Sequence, residues 1–136
     1  MVGNDQVDDP WLDESLTNYS TVLYWEEVEG EQTAERVIES LFVEPYERAR
    51  QQGEDRAVIG PVAEFSEGEY STFVYGKGPL FFHALRQQVG EEAYLKIMQA
   101  YYSEYRYEIA QPGDLFEVIE QTSDQPVEPL VETWLD

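Results

Sequence analysis

One segment near the start of the chain places a carboxylate where it could bind a metal ion or accept a proton. Residues 9–15 read Asp-Pro-Trp-Leu-Asp-Glu-Ser. Asp9 is a residue type that favours a helix N-cap and Pro10 suits the first helical position, so Glu14 is expected near the start of a helix. Because the chain has 29 acidic residues, an ordinary solvated glutamate is the alternative interpretation.

A second segment holds two phenols, which can donate or accept hydrogen bonds beside a reacting group. Residues 70–78 read Tyr-Ser-Thr-Phe-Val-Tyr-Gly-Lys-Gly, with Tyr70 and Tyr75 five positions apart. Positions five apart in an α-helix diverge by about 140°, so the pair is expected to converge on one cleft only if Tyr70 precedes the helix. A turn at Gly68 agrees with that arrangement. Two packing tyrosines among the ten in the chain are the alternative interpretation.

Other residues beside the tyrosines suggest chemistry only superficially. His83 is the one histidine of the chain and lies in an apolar stretch, so we interpret it as a packing residue. Gly76 and Gly78 do not form a phosphate loop, because no strand precedes them and the acidic surroundings oppose an anion. Gly78 instead predicts close helix packing, and Pro79 leaves the Tyr75 carbonyl without its helical donor.

Both segments resemble the zinc aminopeptidase family of gluzincins, which includes membrane alanyl aminopeptidase and leukotriene hydrolase. In that family the third zinc ligand lies in a Trp-Leu-Asn-Glu-Gly segment, and Glu14 matches its glutamate. The second segment resembles the family's Tyr, four residues, then Tyr-x-Lys-Gly. By this resemblance Tyr75 would donate to the oxyanion of the tetrahedral intermediate, with Tyr70 as an auxiliary donor or cleft wall.

The segment around Glu14 departs from the family pattern at three positions. Asp13 and Ser15 replace the usual Asn and Gly, and Thr21 stands where many members have a second glutamate. We therefore expect weaker support from the residues that surround the metal ligand.

The resemblance implies that the two zinc-binding histidines lie outside this chain. Family spacing places the H-E-x-x-H segment just upstream of Met1, and residues 1–8 would be the connector from that missing helix. Two imidazoles and Glu14 would leave one zinc position open for the water that attacks the peptide carbonyl. We therefore expect a zinc site in the intact parent protein, and an isolated fragment that binds no zinc and is inactive.

Composition excludes some partners and gives no localisation. The chain has 8 basic and 29 acidic residues, a net charge of −21, which repels nucleic acid and anionic lipid. There is no cysteine, hence no disulfide or thiolate metal site. No apolar run approaches the roughly 20 residues of a membrane span, and no signal sequence is recognisable.

The apolar periodicity predicts an all-α fold of about five to seven helices in a single domain, residues 1–136. We expect helices from Pro10 to about Gly30, over 32–52 with a kink or split at Pro45, from about 75 to Gly90, over about 91–102, after Gln111, and near the C-terminus. Strand-like alternation is limited to 105–109. By resemblance this is the helical C-terminal lobe of a thermolysin-like catalytic domain.

The leading hypothesis is thus a fragment of a zinc-dependent peptidase, an aminopeptidase by its paired tyrosines, whose substrate is a peptide. The alternative is a noncatalytic acidic helical module or scaffold that binds a basic protein surface. Exopeptidase and endopeptidase action remain open at this point, as does side-chain preference. We also expect some self-association, through apolar surface around Trp11 and Tyr75 that the missing N-terminal part of the domain would cover.

Overall fold

The computed structural model of the chain describes residues 3–136. Helices dominate it, and the all-α prediction is confirmed; the only strands among these residues are Gly3–Asn4 and Ile109–Ala110, which pair in parallel. Within the described residues, six continuous helices follow in order: α1 (Pro10–Glu29), α2 (31–51), α3 (67–89), α4 (Glu91–Glu104), α5 (Pro112–Ser123) and α6 (Glu128–Trp134), with a 3-10 turn at Val62–Glu64.

The predicted connector at residues 1–8 is described only in part, because its first two residues lie outside the described residues. After the short strand, the Asp5 carboxylate accepts hydrogen bonds from the backbone N–H groups of Val7 and Asp8, both at 3.0 Å. This turn leads directly into α1. Its role as a link to a zinc-binding helix stays a prediction.

Helices α2 and α3 each contain a wider, π-helical segment just before a proline. In α2 the π turn spans Glu39–Val43 ahead of Pro45, and in α3 it spans Tyr70–Lys77 ahead of Pro79. Proline has no N–H to donate and its ring clashes with the carbonyl four residues back; a wider turn relieves that clash. Pro45 therefore does not split the helix, since α2 continues through it. A kink at Pro45 stays a prediction.

The aromatic centre of the core joins α1, α3 and α5. Trp11 is fully buried and packs edge-on to Phe81, with 6.1 Å between ring centroids, and stacks on Phe82 and Phe116. Such aromatic pairs contribute about 0.5–1.5 kcal/mol each beyond the area that they bury. Trp11 therefore fixes the start of α1, one turn before Glu14, against the middle of α3.

The surface differs from the sequence expectation at Trp11. This side chain was expected to be exposed apolar surface, yet Phe81 and its neighbours cover it completely. Large exposed apolar side chains lie instead at the far end of α1 and on α2, including Tyr24, Trp25, Val28 and Leu41. In the described residues, no helix combines the length and apolar character needed to cross a membrane.

Candidate active site

The structure brings Glu14 and Tyr75 together, although 61 residues separate them in the sequence. Glu14 projects from the second turn of α1 and Tyr75 from the π turn of α3, and both side chains are half-buried. The Tyr75 hydroxyl donates to the Glu14 carboxylate, with 2.9 Å between Oη and Oε2. A charge-assisted bond of this length couples the two side chains directly.

Tyr70 lies beside this pair, but its position in the helix differs from the one that the sequence suggested. Its ring meets the Tyr75 ring edge-on, with centroids 5.4 Å apart. The expectation that Tyr70 precedes the helix is wrong: α3 already begins at Glu67, and Tyr70 opens the π turn. Because π-helical hydrogen bonds run from residue i to i+5, residues five apart lie closer to the same face than they do in an α-helix. The wider turn, rather than a break, lets the tyrosines converge.

The electrostatics of the site keep both phenols neutral. Burial, together with the hydrogen bond and the charge of Glu14, raises the pKa of Tyr75 to about 12. Burial and the Glu14 charge also raise the pKa of Tyr70 above its ordinary value. Both groups therefore carry their protons at physiological pH and can act as hydrogen-bond donors.

The backbone of the Tyr75 turn is held by α1. The Ser15 hydroxyl donates to the Val74 carbonyl at 2.6 Å, and the Asn18 side-chain amide donates to the Tyr75 carbonyl at 3.3 Å. The sequence indicated that Pro79 frees the Tyr75 carbonyl, but it did not identify the donors that replace it. In the sequence, the only indication of these donors was that two polar residues lie about one turn apart on the helix that carries Glu14.

Lys77 is a third residue whose role the sequence did not reveal. Its side chain is 1% exposed, and its ammonium group lies 2.8 Å from the Asp55 carboxylate and 2.8 Å from the Arg56 carbonyl. It also donates to the main-chain carbonyl of Asp136 at 3.3 Å. Lys77 therefore ties the connection after α2 and the end of the chain to the turn that carries Tyr75.

His83 has structural partners. Its Nδ1 lies 3.0 Å from the Tyr19 hydroxyl, and the neighbouring Arg86 forms ion pairs with Glu26 and Glu91. Burial, and then the positive charge of Arg86, lower the pKa of His83. A half-buried, neutral imidazole bonded to a tyrosine fits the packing role that we predicted.

A zinc site needs several ligand side chains close together. Zinc in proteins takes about four ligands, at least three of them from side chains. Among the described residues, no group of three or more His, Cys, Asp or Glu side chains lies close enough to hold a metal ion. Glu14 can supply one ligand of such a site.

A cavity of about 310 Å³ opens beside Tyr75, between α1, α2 and α3. Trp25, Leu41 and Pro45 supply apolar walls, while Asn18 and Tyr75 supply polar groups. Tyr75 thus lies at the edge of a recess rather than on a flat surface.

A comparison with known protein families identifies the family of the chain. The Peptidase family M1 domain matches residues 1–134. The chain belongs to peptidase family M1. The resemblance inferred from the two motif segments is thereby confirmed.

Curated M1 relatives match about half of the chain. Aminopeptidase N from Lactococcus lactis subsp. lactis is 33% identical over 66 residues, which are 48% of this chain and 8% of the relative. Aminopeptidase M1-D from Oryza sativa subsp. japonica is 32% identical over 65 residues, 48% of this chain and 7% of the relative. The aligned part is thus a small fraction of each relative's length.

A solved M1 structure shares the fold over nearly the whole chain. The crystal structure of a mutant M1 zinc metallopeptidase from Deinococcus radiodurans superposes with a TM-score of 0.65 at 18% identity. The match covers 94% of this chain and 28% of that protein. The predicted helical lobe therefore agrees with the fold of an M1 peptidase.

Proposed function

We propose that this chain is part of the catalytic domain of an M1 zinc aminopeptidase and contributes Glu14 and Tyr75 to its active site. The observation that carries the proposal is the 2.9 Å hydrogen bond between these two side chains. The two motif segments are distant in sequence, yet both place their candidate residue at the same point. Two unrelated packing residues would have no reason to meet there.

In this proposal Tyr75 acts on the carbonyl oxygen of a peptide substrate. Its raised pKa of about 12 keeps it protonated at neutral pH, and it is half-buried, so its hydrogen bond is partly shielded from water. It would donate to the oxyanion that develops when the scissile carbonyl becomes tetrahedral. Tyr70, packed edge-on against it, limits the movement of the Tyr75 ring and borders the same space.

Glu14 is proposed as one of the zinc ligands of the full-length peptidase. The remaining ligands and the general base would come from outside the present sequence, whose one histidine is His83. The missing part of the catalytic domain is therefore the partner that completes the site. The chain alone is proposed to be inactive.

Zinc titration of the 136-residue chain by calorimetry tests this division of the site. Since a single carboxylate gives little affinity, we expect no stoichiometric binding tighter than millimolar, and a Glu14→Ala variant should behave identically. Tight binding of one zinc ion per chain, lost in Glu14→Ala, would show that the chain holds a complete site and contradict the proposal.

Substitution of Tyr75 in the full-length peptidase tests the catalytic role. We expect Tyr75→Phe to lower kcat by about 10²–10³-fold on a peptide substrate, since loss of one oxyanion donor costs that much. Tyr24→Phe, at a 60% exposed position of α1, is the matched control and should retain full activity. Full turnover by Tyr75→Phe would remove the proposed role.

The alternative, a noncatalytic acidic module, makes the opposite prediction for the full-length protein. That protein would then lack an H-E-x-x-H segment ahead of the present sequence, bind no zinc and hydrolyse no peptide.

A further inference from the structure

The Val74 and Tyr75 carbonyl groups each lose one backbone donor to Pro79. Pro79 has no N–H, so it cannot bond to the Tyr75 carbonyl four residues back, as an α-helix would require. It also cannot bond to the Val74 carbonyl five residues back, as a π turn would require. Buried carbonyl groups without a partner are costly, and proteins rarely leave them so.

Two side chains of α1 donate to these two carbonyl groups. Ser15 is fully buried and reaches the Val74 carbonyl, and Asn18, one turn later, reaches the Tyr75 carbonyl. The helices are in contact at this point: a Cβ built on Gly78 would lie 2.0 Å from the Ser15 hydroxyl oxygen. Only a residue without a side chain at 78 gives Ser15 the space to make its bond.

These contacts differ from those of the neighbouring polar residues of α1. The Ser20 hydroxyl donates to the Leu16 carbonyl at 2.8 Å, and the Thr21 hydroxyl donates to the Thr17 carbonyl at 3.1 Å, both within α1 itself. Ser15 and Asn18 instead cross to the other helix. They follow Glu14, which bonds to the Tyr75 side chain, by one and four positions on α1. One stretch of α1 thus holds both the backbone and the hydroxyl of Tyr75.

We propose that Ser15 and Asn18 are positioning residues, which fix the Tyr75 turn against the helix that carries Glu14 and so set the direction of the Tyr75 hydroxyl. The proposal deepens the function proposed above and rests on it for its catalytic consequence. Its structural content, that the two donors maintain the Tyr75–Glu14 hydrogen bond, stands independently of catalysis. A displacement of about 1 Å at such a group can lower a rate by about 10²-fold.

The experiment replaces the two donors and observes the Tyr75 ring directly. NMR of isotope-labelled tyrosine at one fixed pH, assigned by comparison with Tyr75→Phe, gives the ring chemical shifts of Tyr75 in the 136-residue chain. In the double variant Ser15→Ala with Asn18→Ala, we expect these shifts to move toward those of an unstructured tyrosine, because the two donors no longer hold the Tyr75 turn against α1. Ser20→Ala, whose hydroxyl bonds within α1, is the matched control and should leave the Tyr75 shifts unchanged.

The outcomes separate this proposal from the catalytic one. Unchanged Tyr75 ring shifts in a folded double variant would overturn the positioning role, whatever the activity. If the double variant does not fold, Asn18→Ala alone, at a half-buried position, decides by the same measurement, and Asn18→Gln should move the ring shifts part of the way back to those of the unaltered chain. In the full-length peptidase the double variant should lose at least about 10-fold in kcat with little change in KM. Altered ring shifts with unaltered kcat would keep the positioning role and remove the catalytic function of Tyr75.

Discussion

In the free chain, the Tyr75 hydroxyl donates to a carboxylate, so any ionisation of the phenol would place two negative charges 2.9 Å apart. Burial and Glu14 together raise the Tyr75 pKa to about 12, which keeps the phenol protonated as pH rises through 10, the ordinary midpoint. In Glu14→Gln the charge is lost while the size remains. We expect the Tyr75 pKa to fall below about 12 but to stay above about 10, because burial persists.

An NMR titration of isotope-labelled tyrosine measures this change, with Glu29→Gln at the exposed end of α1 as control. An identical Tyr75 midpoint in Glu14→Gln and the unaltered chain would mean that the carboxylate does not interact with the phenol in solution. A midpoint at the ordinary value would mean that burial contributes nothing.

Which residues of the site could be predicted depended on whether their role is local in sequence. Glu14 and Tyr75 lie in recognisable segments, so both candidates could be named from the sequence. Ser15, Asn18 and Lys77 act through contacts with residues at least 21 positions away, which no local pattern specifies. Asn18 in particular looks like any polar residue on a helix surface until α3 is placed beside it.

At the scale of helices, the closest approach of α1 to α3 depends on Gly78. Its φ of −57° is helical, so alanine would meet no backbone strain and would gain about 1 kcal/mol of helix propensity. The new methyl group would, however, lie 2.0 Å from the buried Ser15 hydroxyl and 2.8 Å from its Cβ. We expect Gly78→Ala to destabilise the chain by about 1–3 kcal/mol in urea unfolding, because overpacking outweighs propensity.

Gly68→Ala is the matched control, since nothing lies within 4 Å of a Cβ built there and α3 begins at this point. That variant should be unaffected or more stable by up to about 1 kcal/mol. Ser15→Gly combined with Gly78→Ala should recover stability, because it removes the atoms in the way. A stabilised Gly78→Ala single variant would show that the helices separate there without cost.

The ends of helices could be predicted where glycine or proline sets them. The change from α-helical to π-helical turns inside a helix could not. The stops at Gly30 and Gly90 follow from backbone that adopts positive φ, 93° and 90°, which other residues avoid. Pro45 and Pro79 correctly indicated the positions near which the regular α-helical hydrogen bonds are interrupted. Whether the chain responds by breaking or by widening depends on packing between helices, and this is why Tyr70 was placed outside a helix that contains it.

At the scale of the whole molecule, an apolar patch competes with strong like-charge repulsion. Trp25 and Leu41 are 38% and 59% exposed and line the cavity beside Tyr75, so contact between two chains there would bury apolar surface. A net charge of −21 opposes that contact at low ionic strength. Salt shortens the screening length from about 10 Å at 0.1 M to about 3 Å at 1 M without weakening the apolar term.

We therefore expect the scattering mass of the 136-residue chain to remain monomeric at low salt and to rise toward that of a dimer at high salt and high concentration. Trp25→Gln with Leu41→Gln should abolish the rise. Ile109→Gln, at a 68% exposed position on the short second strand, is the matched control and should not. A monomeric mass at 1 M salt and the highest soluble concentration would contradict self-association. A rise that survives the double substitution would locate the contact elsewhere, away from the cavity that Tyr75 borders.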